Sequence, residues 1–289
     1  MRRRSTGLVA LAAVAALTLS ACGDDGETTT EPADVEAADF PEGSTMAELA
    51  DAGSITIGTK FDQPLFGLVG PDGNPVGFDV EIGKLIAAEL GIAEDGINWV
   101  ETVSANRETF IKEGQVDIVV ATYTINDERK QEVDFAGPYY VAGQSLLVRT
   151  DETEINGPDD LAGKKVCSVD GSTPAGNIEQ NYPDAELVTF GAYTDCLDPL
   201  RNGQVDAVST DNVILAGYVA ESPEDFQIVG DLFTEEPYGI GLTKGDDDFR
   251  TFINDTLEAA YEDGRWATAW EATAGEVLDT PEPAAVDRY

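Results

Sequence analysis

Glu113-Gly114-Gln115-Val116-Asp117-Ile118-Val119 returns further along the chain as Asn202-Gly203-Gln204-Val205-Asp206-Ala207-Val208. Each copy reads as a helix stop, a glycine turn and a buried strand, over 116–120 and 205–208. The same unit met twice in one structural context argues for two similarly built lobes. Outward from the first copy, 55–57 and 98–103 read as strands and 107–112 as a short helix. Residues 78–90 read as a longer helix with Phe78, Ile82, Leu85, Ile86 and Leu90 on one face and Gly91 as its stop. Around the second copy, 145–148, 165–169 and 187–190 read as strands, with helices after Pro174 and before Asn202. Phe249, Phe252, Ile253, Leu257 and Tyr261 mark a C-terminal helix ending near Gly264, and 265–270 a second short one. Strands alternating with helices give α/β layers with largely parallel sheets, and 289 residues can supply each lobe with its own core.

At 42% hydrophobic and 25% charged the chain has globular composition, but its charge is extreme: 17 Lys+Arg against 56 Asp+Glu gives −39. Phosphate binding needs clustered Lys and Arg, so nucleic acid is set aside as a partner. With no histidine, the chain can build neither a Ser-His-Asp or Cys-His centre nor a His-ligated zinc site. No metal or cofactor is expected.

The N-terminus reads as an export signal. Arg2, Arg3 and Arg4 precede an apolar stretch, 8–19, too short to span a membrane comfortably. Leu19-Ser20-Ala21-Cys22-Gly23 then resembles a bacterial lipobox, with cleavage before Cys22 and a lipid on its sulfur and amine; a plain signal peptide with a chance Cys is the alternative. Cleavage would remove residues 1–21, with three Arg and no acid, and take the charge from −39 to −42. Residues 22–50 read as an acidic tether that holds a folded body off the outer face of the cell membrane. Cys167 and Cys196 remain. In an exported chain an even pair favours a disulfide, worth about 3 kcal/mol for such a loop, over two buried thiols.

Three of the few cations sit just beyond strands or at loop-to-helix junctions: Lys60, Arg107 in Ser104-Ala105-Asn106-Arg107, and Arg129 in Thr124-Ile125-Asn126-Asp127-Glu128-Arg129. In open α/β sheets that edge is where ligands bind. Each alone could be a surface ion pair. Together, in so acidic a body, they make a local reversal of field suited to a small anion.

With Val76-Gly77-Phe78-Asp79-Val80-Glu81, Gly114-Gln115-Val116-Asp117, Phe135-Ala136-Gly137-Pro138-Tyr139-Tyr140 and Tyr238-Gly239-Ile240-Gly241, these segments resemble, in order and spacing, the family 3 extracellular solute-binding proteins, which deliver polar amino acids to ABC importers. The resemblance runs over about 53–272. It implies a two-lobed periplasmic-binding-protein-like α/β fold, each lobe a mixed, mostly parallel sheet flanked by helices, with two strands crossing between the lobes. Lobe one would comprise 53–142 plus 237–280, lobe two 143–236, and 281–289 a frayed tail.

The same resemblance gives roles to matching positions. Arg129 would grip the ligand's α-carboxylate through two parallel N–H donors, with Thr122 and Thr124 adding hydroxyl and backbone donors. Ser172 and Thr173, in a glycine-led turn, would add more from lobe two. Asp211 would accept the α-ammonium; its alternative is a helix N-cap, a role Asn212 could also fill. Lys60, after Gly58-Thr59, and Arg107, in the Ser-x-x-Arg turn begun by Ser104, match the two cation positions of the family's glutamate and aspartate binders. Phe61 packs either on the ligand's methylenes or in the core. The reading is a monomeric, lipid-anchored receptor, not an enzyme, that closes on an acidic amino acid, L-glutamate first, and presents it to the permease subunits of an ABC importer. The alternatives are glutamine or another polar amino acid, a sensor module, or a relative of the family's cyclic-acid dehydratases, which would need a spare acid in the cleft.

Overall fold

The computed structural model describes residues 40–289. The export signal, Cys22 and most of the expected tether lie outside the described residues. Its strands are β1 (Ile55–Thr59), β2 (Asp62–Gln63), β3 (Gly67–Val69), β4 (Pro75–Val76), β5 (Ile97–Glu101), β6 (Ile118–Val119), β7 (Asp134–Ala142), β8 (Gln144–Arg149), β9 (Lys165–Val169), β10 (Glu186–Phe190), β11 (Ala207–Asp211), β12 (Phe226–Val229) and β13 (Glu236–Leu242). Its α-helices are α1 (Thr45–Ala52), α2 (Phe78–Glu89), α3 (Arg107–Lys112), α4 (Arg129–Glu132), α5 (Thr173–Asn181), α6 (Thr194–Arg201), α7 (Asn212–Glu221), α8 (Asp247–Asp263) and α9 (Arg265–Glu271).

Two five-stranded sheets carry the fold. The first runs β5-β1-β6-β13-β7 and the second β10-β9-β11-β8-β12; a three-stranded meander, β2-β3-β4, stands beside them. In each large sheet three parallel strands meet antiparallel ones: β13 runs against β6 and β7, and β8 against β11 and β12. The chain leaves the first sheet along β7, enters the second at β8, and returns along β13, which pairs with β7 from Glu236–Ala142 onward. These two strands are the crossing.

The internal echo has a physical cause. In each copy the aspartate ties the start of its strand to the neighbouring parallel strand by two bonds: Asp117 N–H donates to Thr56 C=O, and Asp117 Oδ2 accepts Thr56 N–H at 2.7 Å. Asp206 does the same with Lys165, at 2.8 Å for each bond. The Asp clamp uses residues read as strand, so β6 and β11 begin after it, at Ile118 and Ala207 rather than at Val116 and Val205.

Helix α2 forms as its periodicity dictates: Phe78, Ile82 and Ile86 are buried against the first sheet, and Gly91 ends it with a left-handed φ of 75°. Phe78 joins Phe66, Tyr140, Trp266 and Trp270 in an aromatic core under α9.

Two expected boundaries are corrected. The tether does not reach residue 50: Ser44 caps α1, whose Met46 and Leu49 are buried, because apolar residues at helical spacing find a core face there. The stretch 281–289 is coil but not frayed. Asp287 N–H donates to Gly137 C=O, Tyr289 Oη accepts Phe135 N–H at 2.9 Å, and Arg288 pairs with Asp255 and Glu258. Lys130 and Arg250 both lie over the Tyr289 ring and give it two cationic neighbours. Cys167 and Cys196 form a disulfide joining β9 to α6.

Candidate functional site

The site is built on the C-terminal edges of parallel strands. Lys60 follows β1, Ser104 and Arg107 follow β5, Thr122, Thr124 and Arg129 follow β6, the turn 171–173 follows β9, and Asp211 ends β11. Between the lobes lies a nearly closed cavity of about 10 Å³, room for one water, lined from lobe one by Ser104, Arg107, Thr122 and Thr124 and from lobe two by Ser172, Thr173 and Asp211. A wider groove of about 630 Å³ opens beside it, with Arg129 in its wall.

Lys60 and Arg107, only 4% and 2% exposed, converge on one residue. Lys60 Nζ donates to Ser104 Oγ at 2.9 Å, and Arg107 Nε donates to Ser104 C=O at 3.3 Å. Lys60 is not itself in the cavity wall but one hydrogen bond behind it. Arg107 also donates to the carbonyls of Ala121 and Thr122. Arg129 donates to Thr124 C=O at 2.7 Å and pairs through Nε with Glu108 at 3.4 Å. The two guanidinium groups share the face of Tyr123, at 4.1 and 5.0 Å from its ring centroid.

The lobes touch here. Gly171 C=O of lobe two accepts from Arg107 at 3.4 Å and from Arg129 at 2.9 Å. A Cβ at Gly171 would meet Ala105 Cα at 2.8 Å, so the turn needs glycine for closeness as well as for its φ of 73°. Tyr193 N–H reaches across to Asp62 at 2.9 Å. Glu236, the first residue of β13 and 3% exposed, accepts three hydroxyls: Thr124 of lobe one at 2.7 Å, Thr173 of lobe two at 2.6 Å, and Thr234 at 2.8 Å.

Asp211 occupies the N-cap position of α7, yet its carboxylate makes no cap bond; Asn212 does not cap either, and accepts Gly143 N–H instead. Asp211 Oδ2 accepts from Tyr238 Oη at 2.6 Å, while buried Oδ1 has no hydrogen-bond partner among the described residues. Such an orphan acceptor facing a cavity is what an ammonium group would satisfy. Other expected donors are differently employed. Ser172 Oγ caps α5 through Ala175 N–H, and Thr122 spends its N–H on Asp79 and its hydroxyl on Gln63. Phe61 is half-buried, in the lining of neither the cavity nor the core. Tyr193, Thr210 and Ile214 also line the cavity; nothing in their sequence context marks them, because folding alone brings α6 and α7 to the cleft.

The dry interior sets the charges. Burial, then neighbouring Arg107, pulls the Lys60 ammonium down to about 7. Burial, then Arg129, lowers Arg107 to about 10. Burial, then the charge of Glu236, pushes the Asp211 carboxyl up to about 7. Burial likewise raises Asp79 to about 7, against the hydrogen bonds that hold its anion.

The sequence pattern of the bacterial extracellular solute-binding proteins, family 3, matches residues 55–272. The chain belongs to that family. It is an amino-acid ABC transporter solute-binding protein working outside the cytoplasm, and not an enzyme. Among its relatives, the glutamate-binding protein GluB of Corynebacterium efficiens is 38% identical over 286 residues, covering 96% of this chain and 92% of that one. The glutamine-binding protein GlnH of Bacillus subtilis is 38% identical over 264 residues, covering 91% of this chain and 93% of GlnH. In structure, the solute receptor for L-cysteine of Neisseria gonorrhoeae superposes with a TM-score of 0.79 at 31% identity, over 84% of this chain and all of that one.

Proposed function

We propose that this family 3 solute-binding protein is a receptor for an acidic amino acid, L-glutamate first. One observation carries the reading. Every other Lys and Arg among the described residues pairs with a carboxylate, but Lys60 and Arg107 do not. In a chain of −39 formal charge, two buried cations meeting at Ser104 with no acid in ion-pair contact, and Asp79 and Asp62 only nearby, are costly unless an anion joins them.

The division of labour follows from chemistry. Arg129 takes the α-carboxylate, whose oxygens replace Gly171 C=O as acceptor. Thr124, Ser172 and Thr173 surround that end of the ligand. Asp211 takes the α-ammonium on its unpartnered Oδ1. The side-chain carboxylate goes to Lys60, Ser104 and Arg107, with Thr122 in the wall. Ligand meets lobe one first, and lobe two then closes on it; charge pairs in the closed cleft are strong because water is gone. The closed form is the one permease subunits would read. Lipid on Cys22 would hold the receptor, as a monomer, at the outer face of the membrane.

A glutamine receptor is the second reading, and the Lys60 ionisation favours it: an amine near neutrality can accept from a side-chain amide. Thermal-shift and calorimetric titration with the twenty amino acids separates the two. L-glutamate should bind most tightly, with affinity falling at least about a hundredfold in Arg129→Ala and about tenfold or more in Arg107→Ala. Preference for L-glutamine, or equal response to neutral amino acids, refutes the acidic assignment.

A further inference from the structure

Thr122 is one of two non-glycine residues with positive φ among the described residues, at 43°. A β-branched side chain is poorly suited to the left-handed region, so the surroundings must hold it there. They hold it at each polar atom. Thr122 N–H donates to Asp79 Oδ2 at 2.8 Å, its hydroxyl donates to Gln63 Oε1 at 2.9 Å, and its carbonyl accepts from Arg107 at 3.4 Å. Asp79, in the first turn of α2, is fully buried and fixed in turn by Tyr139 Oη at 2.6 Å. Gln63, at the end of β2, is 1% exposed.

What this conformation produces is a turn of the backbone. With Thr122 left-handed, the carbonyls of Ala121 and Thr122 both reach the same guanidinium nitrogen of Arg107, at 3.2 and 3.4 Å, and hold the group over Tyr123. Arg107 has no ion pair to orient it, so these carbonyls, with those of Ser104 and Gly171, set its direction. We infer that Asp79 and Gln63 are positioning residues of the binding site: they keep Thr122 left-handed so that its loop aims Arg107 into the cavity. This rests on the reading of Arg107 as the side-chain cation; neither Asp79 nor Gln63 touches ligand.

A double-mutant cycle tests it. Glycine adopts the left-handed conformation freely, so Thr122→Gly should make Asp79 dispensable for binding. By isothermal titration with L-glutamate, Asp79→Asn should weaken affinity about tenfold in the wild-type background and less than about twofold in Thr122→Gly. Gln63→Leu should show the same suppression at smaller amplitude, and carries the test if Asp79→Asn does not fold. Equal losses in both backgrounds would mean that the carboxylate acts through its charge on Lys60 and Arg107, or through the core, and would overturn the inference. If wild type binds L-glutamine instead, the acidic reading fails while the cycle is run with L-glutamine. Hydrogen exchange of the free protein is a readout independent of ligand: Asp79→Asn should speed exchange at the Thr122 amide, and unchanged exchange there counts against the inference.

Discussion

Three buried groups, Asp211 in the cavity wall and Lys60 and Asp79 behind it, all titrate near pH 7 in the folded chain, and their signs differ. The carboxyls are raised, so between about 4 and 7 the folded state holds protons that the unfolded state has released, and stability falls as pH rises through that window. The amine is lowered, so between about 7 and 10.5 the unfolded state holds the extra proton, and stability rises with pH. Together they put a trough near neutrality into the free receptor. On the proposed roles, ligand would reverse both effects: an α-ammonium would draw the proton from Asp211, and a side-chain carboxylate would return one to Lys60. Binding should therefore release protons at about pH 6 and take them up at about pH 8. Calorimetry in buffers of different ionisation enthalpy measures this directly; a proton count of one sign across the range would contradict the assigned roles. The cations are legible in the sequence because each follows a strand. The ionisation of Lys60 and Arg107 is not, because it depends first on burial and then on one another and on Arg129, which only folding brings together.

The alternation of strands and helices is legible because burial leaves continuous apolar runs at 118–120 and 207–208 and a stripe along α2. The Asp clamps at 117 and 206 are not, since a side chain bonding a neighbouring strand looks like any loop aspartate. Tyr193 shows the same limit at the start of α6. It lines the cavity just before α6, which the Cys167–Cys196 bond ties to β9, and the turn 171–173 that follows β9 lines the same cavity with Ser172 and Thr173. One covalent link thus supports two parts of the cavity wall. Replacing both cysteines by serine should cost about 3 kcal/mol in chemical denaturation and should also weaken amino-acid binding. Lost stability with unchanged affinity would show that α6 is held to the cleft without it.

Closure belongs to the whole molecule, and Glu236 stands where its parts meet. Its carboxylate begins a crossing strand, and its Oε2 accepts hydroxyls from Thr124 of lobe one and Thr173 of lobe two. These residues are more than a hundred positions from one end of the clasp to the other, so no local pattern announces it. A buried anion satisfied only by hydroxyls gains those bonds when the lobes are together and loses at least one when they part. The clasp therefore biases the free receptor toward the closed form, and lowers the work left for the ligand. Both interlobe hydroxyls use Oε2, so an amide could keep them, whereas alanine removes both acceptor oxygens, and hydrogen bonds to a charged group are worth about 1.5–3 kcal/mol each. Glu236→Ala should consequently open the free protein. Small-angle scattering should give a larger radius of gyration than wild type without ligand and the same radius at saturating L-glutamate. The variant also removes the charge that raises Asp211, which favours the ammonium contact, so scattering rather than affinity is the deciding readout. Identical radii for the two free proteins would mean that the other interlobe contacts, Gly171 with the two arginines and Tyr193 with Asp62, hold the lobes, and the hinge carboxylate would have no part in closure.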